Sequence, residues 1–263
     1  MATKAFVFAA ACTALAFGCG TSPAPNSADE NQEIIDNLVQ AGFPVEDIQV
    51  YDGRVFVGRD GEVNLQASQE MLQVDRSAGS EEQYRTSNLV GTNITNICVN
   101  GAAFTGKFST ALDAAIANYN GQPIRFRMTR TSGSTTGCSA TITARVSSGT
   151  GGSSGFPSGG RPFNTINIGS GLQAATFATA TVTHVITHEL GHCVGFRHSD
   201  FFNRSISCGG AATNEGDGGV GAILIPGTPS GATVGGSIMN SCFRQTETGK
   251  FTSTDLTALH ALY

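Results

Sequence analysis

The chain has 263 residues, room for one large domain or for a smaller domain with an N-terminal attachment. Its net charge is −5, and charged residues make up only 13% of it, which excludes the basic surface that nucleic acid requires. Past the first 17 residues no segment is apolar for long enough to cross a bilayer.

The N-terminus reads as a targeting leader. Lys4 supplies a short positive region, and Ala5 to Phe17 form an apolar run too short to span a membrane comfortably. Ala16-Phe17-Gly18-Cys19 resembles a bacterial lipobox, in which Cys19 is lipidated and becomes the new N-terminus. Ordinary signal cleavage after Ala16 is the alternative. The expectation is a signal peptide over 1–19 and a polar, proline-containing linker over 20–32. Either route places the protein outside the cytoplasm, secreted or anchored by lipid at the cell surface or outer membrane.

A small α/β unit comes next, over 33–75. Its first segment, 33–39, has the spacing of a short amphipathic helix, stopped by Gly42-Phe43-Pro44. Strands over 47–51 and 54–57 flank Asp52-Gly53, a pair suited to the positive φ of a two-residue hairpin turn. A third short strand over 61–65 and a helix over 68–74 complete the unit. About fifty residues barely bury a core alone, so this unit should pack on the rest of the chain. It is a candidate propeptide or inhibitory unit. Residues 76–90 read as a linker, with Arg76 and Arg85 as candidate processing sites.

Residues 91–263 carry the larger domain. A strand over 94–99 precedes a helix over 105–119, with Phe108, Leu112, Ala115, Ile116 and Tyr119 at helical spacing. Strands over 124–128 and 140–146 come next, then a glycine- and serine-rich loop over 147–160 that reads as flexible. An edge strand over 162–168 leads to a helix over 179–194. This order predicts an α+β fold with an α/β-like upper lobe, a mixed twisted sheet carrying two helices. After His198 the sequence is glycine-rich and irregular until a last helix that begins near Thr254 and ends at Tyr263.

Export permits disulfides. Beyond the leader stand Cys98, Cys138, Cys193, Cys208 and Cys242. The favoured pairs are Cys98 with Cys138 and Cys208 with Cys242; Cys193 pairing with either of the last two is the alternative. No cysteine lies between Cys19 and Cys98, so a thiolate from the N-terminal unit is not expected to block a metal.

The chemistry is concentrated in the helix over 179–194. His188 and His192, at i and i+4, share one helical face and can offer two imidazoles to one ion. Glu189 lies a step round the helix, placed to reach an activated water rather than the metal. Gly195 frees the backbone to leave the helix, so that His198 can return as a third nitrogen ligand. Three protein ligands with one open position describe a single catalytic zinc. The apolar residues before the motif imply a buried helix, where imidazoles need a partner. His184, one turn earlier, reads as a supporting histidine, because a fourth protein ligand closes the position that hydrolysis needs.

His188, Glu189, His192, Gly195 and His198 match in full the HExxHxxGxxH motif, and on it the chain resembles the metzincin zinc peptidases. Ser237-Ile238-Met239-Asn240 resembles their methionine turn, which implies Met239 as an apolar floor under the histidines. Ala41-Gly42-Phe43-Pro44, Gln83-Tyr84-Arg85-Thr86, Phe196-Arg197-His198-Ser199-Asp200, Ile225-Pro226-Gly227-Thr228-Pro229 and the C-terminal stretch from Phe251 are similar to the bacterial dual-action HEIGH metallopeptidases. Leu190 departs from that name by replacing its isoleucine.

The resemblance implies a monomeric zinc endopeptidase with protein or peptide substrates. Glu189 acts as general base, and the substrate lies antiparallel to the strand around 163–167. Ser241 stands where some metzincins place a tyrosine near the metal, so no such tyrosine is implied. Asp200 is expected to cap the turn after it, with orientation of a ligand as the alternative. Asn214-Glu215-Gly216-Asp217-Gly218 suggests calcium only faintly, because the spacing fits no EF-hand loop. Two rival functions remain: a surface binding protein with a silent zinc site, and a zinc amidase acting on non-protein amides.

Overall fold

A computed structural model describes residues 27–72, 83–216, 222–229 and 231–263. The leader with Cys19, the linker up to residue 26, and Arg76 lie outside the described residues.

The N-terminal unit starts earlier than its sequence suggests. Helix α1 spans Ser27–Gln40 and so begins inside the stretch expected to be linker, with Asp29 and Glu30 in its first turn, where the helix dipole favours acidic groups. Its buried residues, Ile34 and Leu38, lie one turn apart on a single stripe. Strands β1 (Gln49–Tyr51) and β2 (Arg54–Val57) form the expected hairpin, and Asp52 and Gly53 both take positive φ, 52° and 70°. Strand β3 (Gly61–Val63) pairs antiparallel with β2. Helix α2 (Leu65–Met71) starts three residues before the expected point, because the Asn64 side chain accepts from Ala67 N at 2.8 Å and caps it there.

Residues from Gln83 onward, expected to be linker, are built into the fold. Gln83 is fully buried, and strand β4 (Tyr84–Arg85) pairs with a later strand. Arg85 is therefore held in a ladder rather than in an exposed loop. Strand β5 (Asn96–Asn100) is followed by helix α3 (Gly106–Asn120), then β6 (Arg127–Thr131), β7 (Ala140–Ser147), β8 (Gly152–Gly155) and β9 (Thr165–Gly169). Helix α4 (Thr179–Cys193) carries the metal motif. The C-terminal part is irregular, as its glycines imply: a short helix α5 (Ser205–Cys208), strand β10 (Ile223–Leu224) paired with β4, and the final helix α6 (Ser253–Leu262).

One eight-stranded mixed sheet runs in the order β1-β2-β3-β8-β9-β7-β5-β6. Strands β6, β5, β7 and β9 are parallel, β8 is antiparallel to β9, and β3 is parallel to β8. Two expectations are corrected here. The strand near 162–168 is not an edge, because β9 lies between β7 and β8. The loop over 147–160 is not without structure, because it contains β8. Gly152-Ser153-Ser154-Gly155 has no β-branched residue, so its extended state comes from the partners on both sides rather than from propensity.

Helices α3 and α4 pack together, and their apolar faces meet sheet residues Ile97, Val99, Ile142, Ile166 and Ile168 in the main core. A second core lies in the N-terminal unit, around Leu38, Phe43, Val55, Val63 and Met71. Phe156, just past β8, completes it, so the unit does borrow apolar surface from the larger domain. Among the described residues the disulfides are Cys98–Cys138 and Cys208–Cys242, and Cys193 is a buried free thiol. Among the described residues no helix is long and apolar enough to cross a membrane.

Candidate metal centre

Every residue of α4 from Thr181 to Cys193 is buried, so the motif lies in the interior. The helix ends after Cys193, where Gly195 turns the chain with φ +110°, a conformation other residues rarely take. Phe196 N then bonds back to Gly191 O at 3.0 Å, and Arg197 N to Tyr84 O at 2.8 Å, which brings His198 round to face the helix. Met239 packs beneath, so close to Gly191 that a Cβ there would come within 2.6 Å of its sulfur.

Each histidine has its Nδ1 committed. His188 Nδ1 bonds Ile238 O at 2.8 Å, His192 Nδ1 bonds Phe196 O at 2.7 Å, and His198 Nδ1 bonds Glu215 Oε1 at 2.8 Å. With Nδ1 as donor, each Nε2 keeps a lone pair for a metal. His198 Nε2 lies 3.3 Å from both His188 Nε2 and His192 Nε2. Lone pairs at that distance repel unless a proton or a metal cation sits among them. The spacing is also the edge of a tetrahedron, about 3.3 Å, for nitrogen ligands about 2.0–2.1 Å from zinc. The residues fit a metal ion.

A fourth possible donor lies beside the three nitrogens, and sequence reading missed it. Asp60, in the turn between β2 and β3, places Oδ2 3.2 Å from His198 Nε2 and 3.8 Å from His188 Nε2, and Oδ1 3.7 Å from His192 Nε2. The four donor atoms all lie within 4.8 Å of one another. Asp60 Oδ1 is buried with no hydrogen-bond partner among the described residues, as suits an atom aimed at a cation.

Glu215 was missed as well. Asp217 and Gly218 of the faint calcium pattern lie outside the described residues, and the Glu215 carboxylate is buried under His198, accepts from Arg204 and lies 3.5 Å from Arg197. Burial works to raise its pKa, but His198, Arg197 and Arg204 hold it down to about 2. The same balance raises His198 to about 10, where burial is outweighed by Asp60 and Glu215. His192 is driven down to about 3, by burial first and His188 next. Burial also opposes ionisation of Asp60, but His198 and hydrogen bonds from His188 and His198 hold it well below the usual range. The positive charge that the metal-free cluster concentrates on His198 is the charge a divalent ion supplies.

Glu189 is the unmatched group. Its Oε2 is buried without a hydrogen-bond partner among the described residues, while Ser154 Oγ donates to its backbone carbonyl at 2.9 Å. Burial, and then the Asp60 carboxylate, push its pKa well above the ordinary value. Asp60, His184, His188, Glu189, Arg204 and Phe243 help line one cavity of about 350 Å³. His184 faces it with Nε2 unpartnered, and burial drives its pKa down to about 4.

The Asp200 carboxylate bonds serines rather than histidines among the described residues. Its Oδ2 accepts from Ser207 N and Oγ at the α5 turn, and its Oδ1 from Ser241 N and Oγ just past Met239. It ties the two loops together, which includes the expected turn cap. Met239 lies against Gly191 of the motif helix, and Gly195 turns the chain out of it.

The family described as dual-action HEIGH metallo-peptidase matches residues 55–263, a stretch that begins at β2 and includes Asp60. A sequence search of curated proteins finds no match. Among solved structures the chain is similar to high choriolytic enzyme 1, a hatching-enzyme zinc-protease from Oryzias latipes (medaka fish). The identity is 16%, over 67% of this chain and 92% of that one, with a TM-score of 0.40. It is also similar to myroilysin, at 13% identity over 69% of this chain and 98% of that one, again with a TM-score of 0.40. Neither distant likeness bears on the site. The sequence match runs from β2 through the C-terminal helix, and on that extent the chain belongs to the dual-action HEIGH metallopeptidases.

Proposed function

We propose that this metallopeptidase is an exported zinc endopeptidase that uses His188, His192 and His198 as metal ligands and Glu189 as general base. The observation that carries it is the convergence of three Nε2 atoms, 3.3 Å apart where measured from His198, beside a cavity that His188 and Glu189 line. Nitrogen donors with a carboxylate suit zinc better than calcium or magnesium, which favour all-oxygen sites.

Zinc held there supplies Lewis acidity towards a peptide carbonyl and a water molecule. Glu189 takes the proton from the attacking water and hands it to the departing amine nitrogen. Burial, and then the Asp60 carboxylate, raise its pKa, which favours the proton-bound form it needs between the two halves of that transfer. The bonds from Ile238 O, Phe196 O and Glu215 to the three Nδ1 atoms fix the rings throughout. An extended substrate adds to β8, the strand beside Glu189, by main-chain hydrogen bonds. The leader and the two disulfides support export, with lipidation at Cys19 the preferred form.

A second reading, a silent zinc site on a binding protein, is favoured by Asp60 standing in the fourth position. Both are tested by zinc stoichiometry and by cleavage of an unstructured protein. One zinc per chain in wild type and Glu189→Ala is expected, with cleavage at least about 100-fold lower in the variant. Zinc binding with no Glu189-dependent cleavage, in both the wild-type and Asp60→Ala backgrounds, overturns the endopeptidase. The mass of the mature N-terminus separates a lipid anchor from free secretion.

A further inference from the structure

We infer that the N-terminal unit is a built-in latch on the metal site, with Asp60 as the fourth ligand of the resting protein and β3 as the cover of the substrate strand. The inference rests on the zinc reading above and adds its regulation.

Three independent observations point the same way. Asp60 occupies the corner that hydrolysis needs open, at 3.2 to 3.8 Å from the three Nε2 atoms. The turn that delivers it is strained: Gly58 and Arg59 take positive φ in succession, 62° and 75°. Glycine takes that region freely but Arg59 does not, and such outliers persist where the surrounding structure enforces them. Gly58 N bonds Asp47 Oδ2 at 2.8 Å and Gly58 O accepts from Arg204 at 2.6 Å, so the turn is clamped from both sides.

The second observation is on the sheet. Strand β8 is the last strand of the larger domain, and its outward N–H groups are taken by the latch. Ser154 N bonds Asp60 O at 3.0 Å and Phe156 N bonds Glu62 O at 3.4 Å. Strand β3 runs parallel to β8, with Gly61 opposite Ser154 and Glu62 opposite Gly155. A substrate strand adding to β8 needs those same groups. One short segment therefore blocks both the metal and the substrate edge.

The third observation separates a latch from a permanent four-ligand site. A structural zinc has no use for a nearby base, and leaving a carboxylate oxygen buried and unpaired is costly. Glu189 Oε2 is such an oxygen. A water admitted after Asp60 leaves gives it a partner. The clamp also reaches the third ligand, since Arg204 bonds both Gly58 O and the Glu215 carboxylate that holds His198. Release of the turn is thereby felt at His198.

The test uses the full chain with cobalt(II) in place of zinc, read by visible absorption and titrated with acetohydroxamate, a small bidentate metal ligand. Wild type, Asp60→Ala and the near-isosteric Asp60→Asn are compared, each checked for one metal per chain. The expected result is that both variants keep the metal, change the cobalt spectrum and bind acetohydroxamate at least about 100-fold more tightly than wild type. Glu189-dependent cleavage should rise at least about tenfold with them. Equal spectra and equal acetohydroxamate binding in all three proteins overturn the latch, as does loss of the metal from both variants. Spectral opening without any cleavage upholds the latch and overturns the endopeptidase reading instead.

Discussion

At the scale of single residues, the histidine cluster depends on groups outside it. Glu215 fixes the His198 ring at 2.8 Å and is itself held by Arg197 and Arg204. Supporting carboxylates of this kind typically contribute 10- to 100-fold in metal affinity. Glu215→Gln should therefore raise the zinc dissociation constant by about that factor, measured by chelator competition on the folded fraction. An unchanged constant would mean that Glu215 serves packing alone. A pH signature accompanies it: a carboxylate lowered from 4.5 to about 2 adds stability that is present above 4.5 and lost as pH falls through about 2. Below pH 4.5 the acid-unfolding limb of Glu215→Gln should be flatter than that of wild type. The three histidines, Glu189 and Gly195 were legible in sequence because a helix and one turn bring near neighbours together. Asp60 and Glu215 were not, because each reaches the site from a distant loop whose local pattern, Arg59-Asp60-Gly61 or Asn214-Glu215-Gly216, reads as an ordinary turn.

Elements decide how firmly those residues are held. Helix α6 starts with a capping box of Thr252 and Asp255, yet Asp255 also accepts from Ile238 N at 3.0 Å and Ser237 Oγ at 2.5 Å. One buried carboxylate thus joins the C-terminal helix to the methionine turn, whose Ile238 O orients His188. Asp255→Ala removes the cap and strands buried donors, together about 2–4 kcal/mol. Thermal unfolding should shift down by roughly 5–15 °C, with weaker zinc binding alongside. A shift confined to stability would uncouple α6 from the metal. Strands with alternating or β-branched residues, such as Ala140–Ser147, were plain in sequence. Strand β8 was not, since Gly152-Ser153-Ser154-Gly155 is extended only through its neighbours, and missing it moved the edge to β9.

In the whole molecule, the proposed metal site draws on both cores. His188, His192 and His198 belong to the larger domain and Asp60 to the N-terminal unit, so a bound ion cross-links them. Zinc at about a thousand times its dissociation constant adds about 4 kcal/mol to the folded state. Chelation should lower the unfolding temperature and speed amide exchange in β3 and α2 as well as in α4. Exchange that changes in α4 while β3 and α2 stay protected would show that the unit is held without the metal. The fold class and the two helices on a mixed sheet followed from element order. The continuity of the sheet across β3 and β8 did not, because strand pairing between distant segments leaves no local trace.

Phe156 sets the direction in which such a protein can be switched. Its ring fills the core of the N-terminal unit and stands edge-on to His192, with centroids 5.5 Å apart. Once that unit leaves the metal, it leaves behind the side chain that completes its interior. A fragment of about fifty residues, already at the lower limit for folding alone, then has too little apolar burial to persist as a free inhibitor. On the latch proposed above, a unit released in this way would unravel rather than rebind, so opening would be a fuse and not a hinge.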